Sequence, residues 1–178
     1  MRKKVKITLI ALTAIIILLL ISWLVLRIEI NHKNVERDDQ KFSFDCDTTK
    51  IITETPSISL NNFSKNEIEE LKFYILRKHR ILKDTLIKPN MKADKISLDT
   101  RIPFESFKKT DTILLETKSK LYFKISDFHH YANLHYGMSG YLGNHDCRFY
   151  DRNYTVNGKK NNGYLLKVDA LKKVNMLR

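Results

Sequence analysis

Cysteine, proline and glycine are all scarce in this chain: two, three and five among 178 residues. The scarcity removes several classes of protein at once. With only two cysteines, the paired short-spaced thiols of a structural zinc site are absent, as is any His-Glu-x-x-His run. No phosphate-binding glycine loop and no dinucleotide fingerprint occurs, so no nucleotide-binding motif supports an enzyme of that kind. Gly137-Met138-Ser139-Gly140 superficially resembles a nucleophile elbow but is one residue short of Gly-x-Ser-x-Gly. There is neither an internal repeat nor a low-complexity tract. Enzymatic activity is not the leading expectation, no catalytic residue is nominated, and no family of established activity is recognisable in these residues.

What the chain does have is a run, Ile7 to Leu26, without charge, proline or glycine. Its only polar side chains are hydroxyls and an indole. At about 1.5 Å of rise per residue, a helix of that length covers roughly the 30 Å of a bilayer's hydrocarbon. A buried helix of a soluble protein would show a polar stripe, and this run shows none. Arg2, Lys3, Lys4 and Lys6 precede it with no acid among them, whereas the charges that follow nearly cancel. The positive-inside rule then keeps the N-terminus cytoplasmic and sends the rest across. Trp23 and Arg27 suit the far headgroup interface. A cleaved signal peptide would have a shorter apolar core and a small-x-small site. Here Leu26-Arg27-Ile28-Glu29 follows instead, which predicts an uncleaved signal-anchor.

The expected organisation is a basic cytoplasmic tail (1–6), a transmembrane helix (7–26), a polar juxtamembrane stalk (27–41) and an extracytoplasmic β-rich domain (42–178). The helix is expected to run a turn or two past the membrane before the stalk. About 138 residues beyond the stalk are enough for one self-sufficient core. The formal charge is +12, of which four basic residues lie in the tail, leaving +8 outside (28 Lys/Arg minus 20 Asp/Glu). Such a surface attracts acidic partners, or it is simply a lysine-rich solvated face, the reading favoured here. Nucleic acid is not expected as a partner on that side of a membrane. Cys46 and Cys147 both fall outside, where an even count in an exported domain predicts a disulfide. That bond would tie the first strand region of the domain to its last third.

Alternation of apolar and polar residues marks strands at Ser57–Leu60 and Leu121–Ser126, Thr112–Thr117 is rich in β-formers, and Lys50–Glu54, Cys147–Tyr150, Tyr154–Val156 and Tyr164–Val168 also read as short strands. A further short strand is expected near Ile96–Asp99. Ile81–Ile87 reads as a partner strand across the basic turn Arg77–Arg80, and Asn157-Gly158 is a hairpin turn signal. Ser64-Lys65-Asn66-Glu67 has capping-box spacing, read as a short helical turn followed by a strand through Leu76, with a full helix to Lys78 as the alternative. The tail from Leu171 to Arg178 is a short helix or a frayed strand. The expected fold is thus a single transmembrane helix followed by a mainly-β domain, a sandwich or partly open barrel, with one or two short helical segments.

One stretch, from Asp127 to Tyr150, is chemically unusual. It interleaves His129, His130, His135 and His145 with Tyr131, Tyr136 and Tyr141, and with Gly137, Gly140 and Gly143. Tyrosine on a glycine-punctuated backbone suits a recognition loop, so loop 128–146 is expected to contact another envelope or secreted protein. The competing reading takes the four imidazoles as ligands of a metal ion, the one cofactor considered, although their spacing matches no metal motif. An inert surface loop is the bland alternative. Asn62-Phe63-Ser64 and Asn153-Tyr154-Thr155 have the form of glycosylation sequons.

Overall fold

A computed structural model describes residues 2–89, 97–138 and 140–174, with side chains from Leu12 onward. It contains one long apolar N-terminal helix followed by a mostly β domain with several sheets, none of them closed. Helix α1, Arg2–Asp47, is 46 residues long, about 69 Å at helical rise. It passes through the expected stalk without a break, because residues 27–47 contain neither proline nor glycine. Phe42, Ser43 and Phe44 are therefore helical, and Cys46 lies in the last turn of α1 rather than in a strand region.

The chain forms two compact units. The first is Met1–Phe44 with Ala132–Asp146, and the second is Asp45–Tyr131 with Cys147–Arg178. The second unit is built from short strands: β1 (Ile51–Ile52), β2 (Ser57–Asn61), β3 (Leu71–Arg77), β4 (Arg80–Ile87), β5 (Ser97–Arg101), β6 (Phe107–Lys108), β7 (Thr112–Thr117) and β8 (Tyr122–Ser126). After the hairpin β9 (His130–Gly137) and β10 (Gly140–Phe149) come β11 (Tyr154–Val156), β12 (Lys159–Asn161) and β13 (Tyr164–Leu166). Six of these make an antiparallel sheet in the order β12-β11-β8-β7-β3-β4. A second sheet, β13-β2-β5, sets β13 parallel to β2, and β1 pairs with β6.

The alternation in the sequence explains which face is inside. Leu71, Phe73 and Ile75 of β3, Ile113 and Leu115 of β7, and Phe123 and Ile125 of β8 share one core with Ile58 and Leu60 of the smaller sheet. Burying a large apolar side chain stabilises by roughly 1.5–3 kcal/mol, so this cluster is the main source of the unit's stability. The opposite face of β3 is also covered. Tyr74, Leu76 and Leu114 form a second small cluster against Ile81, Tyr122 and Val174. With apolar neighbours on both faces, β3 reads as a continuous hydrophobic run, which is why it could be mistaken for a helix. The helical signal before it is a single 3₁₀ turn, Lys65–Glu67. There a Glu67 carboxylate oxygen accepts from both the Ser64 N–H and hydroxyl at 2.9 Å.

The turns follow the sequence signals. Asn157 and Gly158 both have positive φ (52° and 80°), as a two-residue type I′ hairpin requires. Lys78 and His79 take the same conformation (φ 49° and 66°) between β3 and β4 without any glycine. The buried Asp111 carboxylate accepts two bonds from Arg77, at 2.7 and 2.8 Å, plus the Lys108 N–H at 2.9 Å. Of the C-terminal tail, Leu171 forms a β-bridge with Tyr122, while 175–178, like Ile96, lie outside the described residues.

Candidate functional site

In the first unit the polar extension of α1 holds the hairpin β9–β10. Asn34, Val35, Asp38, Phe42 and Ser43 are half-buried, at the three-to-four-residue spacing of one helical stripe. Each contact fixes a level along the helix. Ser43 Oγ accepts a long bond, 3.4 Å, from the Ala132 N–H. The His145 ring stacks on Phe42 with centroids 3.9 Å apart and planes within 13°. Further toward the helix N-terminus, the Tyr141 hydroxyl donates to Asp38 at 3.3 Å. Burial, with the Asp38 carboxylate beside it, pushes the Tyr141 phenol up from its ordinary value. Nearest the apolar run is Gly140, where a Cβ would come within 3.2 Å of Asn31 Nδ2. Its φ of 111° is left-handed space that suits glycine.

The segment read from sequence as a glycine-punctuated loop is thus a β-hairpin descending along the helix toward Leu26. The side facing the helix leaves a hollow of about 370 Å³ bordered by His32, Val35, Glu36 and Asp39 with Asn133 and Tyr136. Tyr136 and Tyr141 are cross-strand neighbours, their rings 5.9 Å apart. Tyr136, Met138 and Leu142 are exposed (61%, 110% and 55%), with Leu142 lying over Gly137.

Two of the four singled-out histidines belong to each unit. In the first, His135 Nε2 pairs with Asp146 at 2.9 Å, and His145 has its Phe42 stack. In the second, His129 Nδ1 lies 3.3 Å from Asp47, and the buried His130 sets Nε2 3.2 Å from Glu54 and its ring edge-on to Phe149. Burial acts to raise Glu54, yet its backbone hydrogen bonds and the His130 ring outweigh this and hold it below the ordinary carboxylate value. Asp47 is likewise lowered: Lys109 and His129 overcome the effect of burial. The four imidazoles form no common ligand shell among the described residues. Each is engaged with a carboxylate or a ring, an arrangement suited to packing and recognition.

Of the tyrosines, Tyr131 packs edge-on against Tyr150 in the second unit, 5.1 Å between centroids, while Tyr136 and Tyr141 belong to the hairpin. Cys46 and Cys147 are joined, with Cα atoms 5.3 Å apart. The guanidinium of Arg27 sits 5.3 Å over the ring of Trp23, a cation–π pair at the end of the apolar run. Sequence reasoning missed Asn31, Asp38 and Phe42. They lie among polar residues where no apolar periodicity marked them.

These features define a class: a disulfide-bonded β domain carried on a long apolar N-terminal helix. The chain matches no protein-family model, no curated protein and no solved structure.

Proposed function

We propose that the chain is a single-pass membrane protein, N-terminus cytoplasmic, whose β-rich domain is extracytoplasmic and binds another envelope or secreted protein. The carrying observation is the continuity of α1. Its apolar part carries no charged side chain from Ile7 to Leu26, and its described side chains, from Leu12 onward, are all exposed. Without a break, the same helix then supplies the stripe that holds β9–β10. Cleavage between Asn31 and Lys41 would remove part of the support of this hairpin. That favours an uncleaved anchor. The Cys46–Cys147 bond fits an oxidising compartment, and the basic N-terminal flank fits retention inside.

On this reading the β unit is an open sandwich of two sheets, and the partner meets the loop read from the sequence, 128–146, through its tyrosines Tyr131, Tyr136 and Tyr141. Non-enzymatic recognition is favoured because the histidines are engaged in separate pairs. For the same reason, the four-histidine metal centre is the less favoured reading.

The test uses the full chain in sealed membranes. Intact mass should show a polypeptide that retains residues 7–26. Protease added from the extracytoplasmic side should digest the β domain and leave the N-terminal segment. Thiols should be unreactive in the denatured chain until reductant is added. A mature chain beginning between Ser22 and Lys41, or a β domain protected from external protease, would overturn the anchor and its direction. A photo-crosslinking residue at Tyr136 should capture an envelope or secreted protein, and replacing 132–146 by a short linker in a still disulfide-bonded chain should abolish capture at Tyr131. Unchanged capture there would remove the role of the hairpin.

A further inference from the structure

The end of the β9–β10 hairpin exposes apolar side chains. Met138 is fully exposed, and Leu142 and Tyr136 are more than half exposed. They sit at the end of the hairpin nearest the apolar run, at a level set by the approach of Gly140 to the helix. Gly140 lies over Asn31, which is five residues beyond Leu26. At helical rise that is about 7.5 Å past the apolar run. A bilayer is roughly 30 Å thick in its hydrocarbon and about 40–45 Å with headgroups, so each headgroup layer is about 5–8 Å deep. Gly140 is therefore at the outer boundary of that layer. Met138, in the turn beyond it, lies closer to the hydrocarbon, because the hairpin descends from Phe42 through Asp38 to Asn31.

The residue types suit that depth. Tyrosine rings with apolar bodies and wet hydroxyls concentrate at membrane interfaces. Tyr141 keeps its hydroxyl on Asp38, on the side away from the hydrocarbon. It also borders a large hollow, about 780 Å³, that runs along the helix past Trp23, Arg27 and Ile30. The walls of that hollow are mostly apolar residues of the span and its first outer turn, a space shaped for the upper part of a lipid.

We propose that the β9–β10 tip is a second membrane contact, inserting Met138 into the outer headgroup layer of the bilayer that α1 spans, with Leu142 packed over Gly137 at the outer edge of that layer. The occupant is lipid rather than protein, because the same helix that carries the tip fixes its height at the headgroups. The proposal rests on the membrane-anchor reading, and the two can fail separately.

The experiment places the full chain in phosphatidylcholine nanodiscs containing lipids brominated near the headgroup end of the acyl chain. Trp23 is the only native tryptophan, so the wild-type chain reports the anchor. A Met138→Trp variant in a Trp23→Phe background reports the tip, and Leu142→Trp in the same background is the second reporter should the first fail to give disulfide-bonded protein. The expected result is loss of most emission to brominated lipid at Trp23 and in Met138→Trp and a smaller loss in Leu142→Trp, with aqueous iodide quenching the tip reporters weakly. Tip reporters quenched by iodide and untouched by bromine, while Trp23 is quenched by bromine, would overturn the tip contact and leave the anchor standing. Protection from iodide that needs added membrane protein rather than lipid would also overturn it. A Trp23 untouched by bromine would remove both.

Discussion

The two units of this protein handle apolar surface in opposite ways. In the β unit, Phe73, Phe104, Phe123, Phe128 and Tyr154 are completely enclosed by their own chain. Along the helix from residue 12 to 44 no described side chain is buried, and in the hairpin part of that unit only Ala132 is. Both units contain leucine, isoleucine and aromatic residues in quantity. The difference lies in pattern: period-two alternation lets sheets close over a shared interior, whereas an apolar surface on every side of a single helix has no interior to close over. One unit carries its own core, and the other leaves the described apolar surface of its helix uncovered by the protein.

The comparison breaks most readily at paired phenylalanines. Phe73→Ala should lower the unfolding free energy of the β unit by about 4 kcal/mol, since it leaves a cavity in a close-packed core. Phe42→Ala removes only a half-buried ring stacked on His145 and should change that quantity by less than about 1 kcal/mol. Urea unfolding in detergent, with the disulfide intact, measures both. Equal effects would mean that the units unfold as one.

A smaller loss, about 3 kcal/mol, is expected for Arg77→Ala, which strips the buried Asp111 carboxylate of its two-pronged partner. The same urea series sharpens the contrast. The exposed Arg37–Asp38 pair of the helix should register almost nothing when Arg37 is replaced by alanine.

The smallest effect is a pH dependence. Hydrogen bonds from Lys167, then from the Ser64 backbone and hydroxyl, hold the Glu67 carboxyl at about 2 against an ordinary 4.5. The folded state thus binds this proton more weakly than the unfolded state. Its contribution is complete above about pH 5 and fades as pH falls toward 2. Because the pair is solvent-screened, about 1 kcal/mol is at stake. Glu67→Gln should flatten that part of the acid-side stability curve, and a curve of unchanged slope would remove Glu67 as its source.

Local structure was legible wherever alternation and turn chemistry agreed. Thr112–Thr117 and Tyr154–Val156 are strands at the residues expected, and the turns at Lys78-His79 and Asn157-Gly158 join hairpins as expected. The disulfide was legible from the even cysteine count in a domain expected to be exported. The reach of α1 was not. Polar residues 31–43 carry too little apolar signal for a helix to be assigned from periodicity, and their partner is a hairpin almost 90 residues further on in the chain. The same separation hid the site. Glycines at 137, 140 and 143 suggested an irregular loop, whereas Gly140 supplies a left-handed backbone at a close approach to Asn31 inside a regular hairpin. Long-range pairing of this kind leaves no periodic trace.

The bond between Cys46 and Cys147 also determines how the molecule would carry load. Tension entering through the helix and leaving by the C-terminus passes through the sulfurs and skips the chain between them. The bridged residues are 101 apart in sequence, so roughly 340 Å of extended polypeptide is withheld from stretching. Most strands of the six-stranded sheet lie inside that shielded loop; only β11 and β12, at one edge, lie beyond it. A pulling experiment would extend only the helix before Cys46 and the tail from Arg148 onward, until a reductant opened the loop.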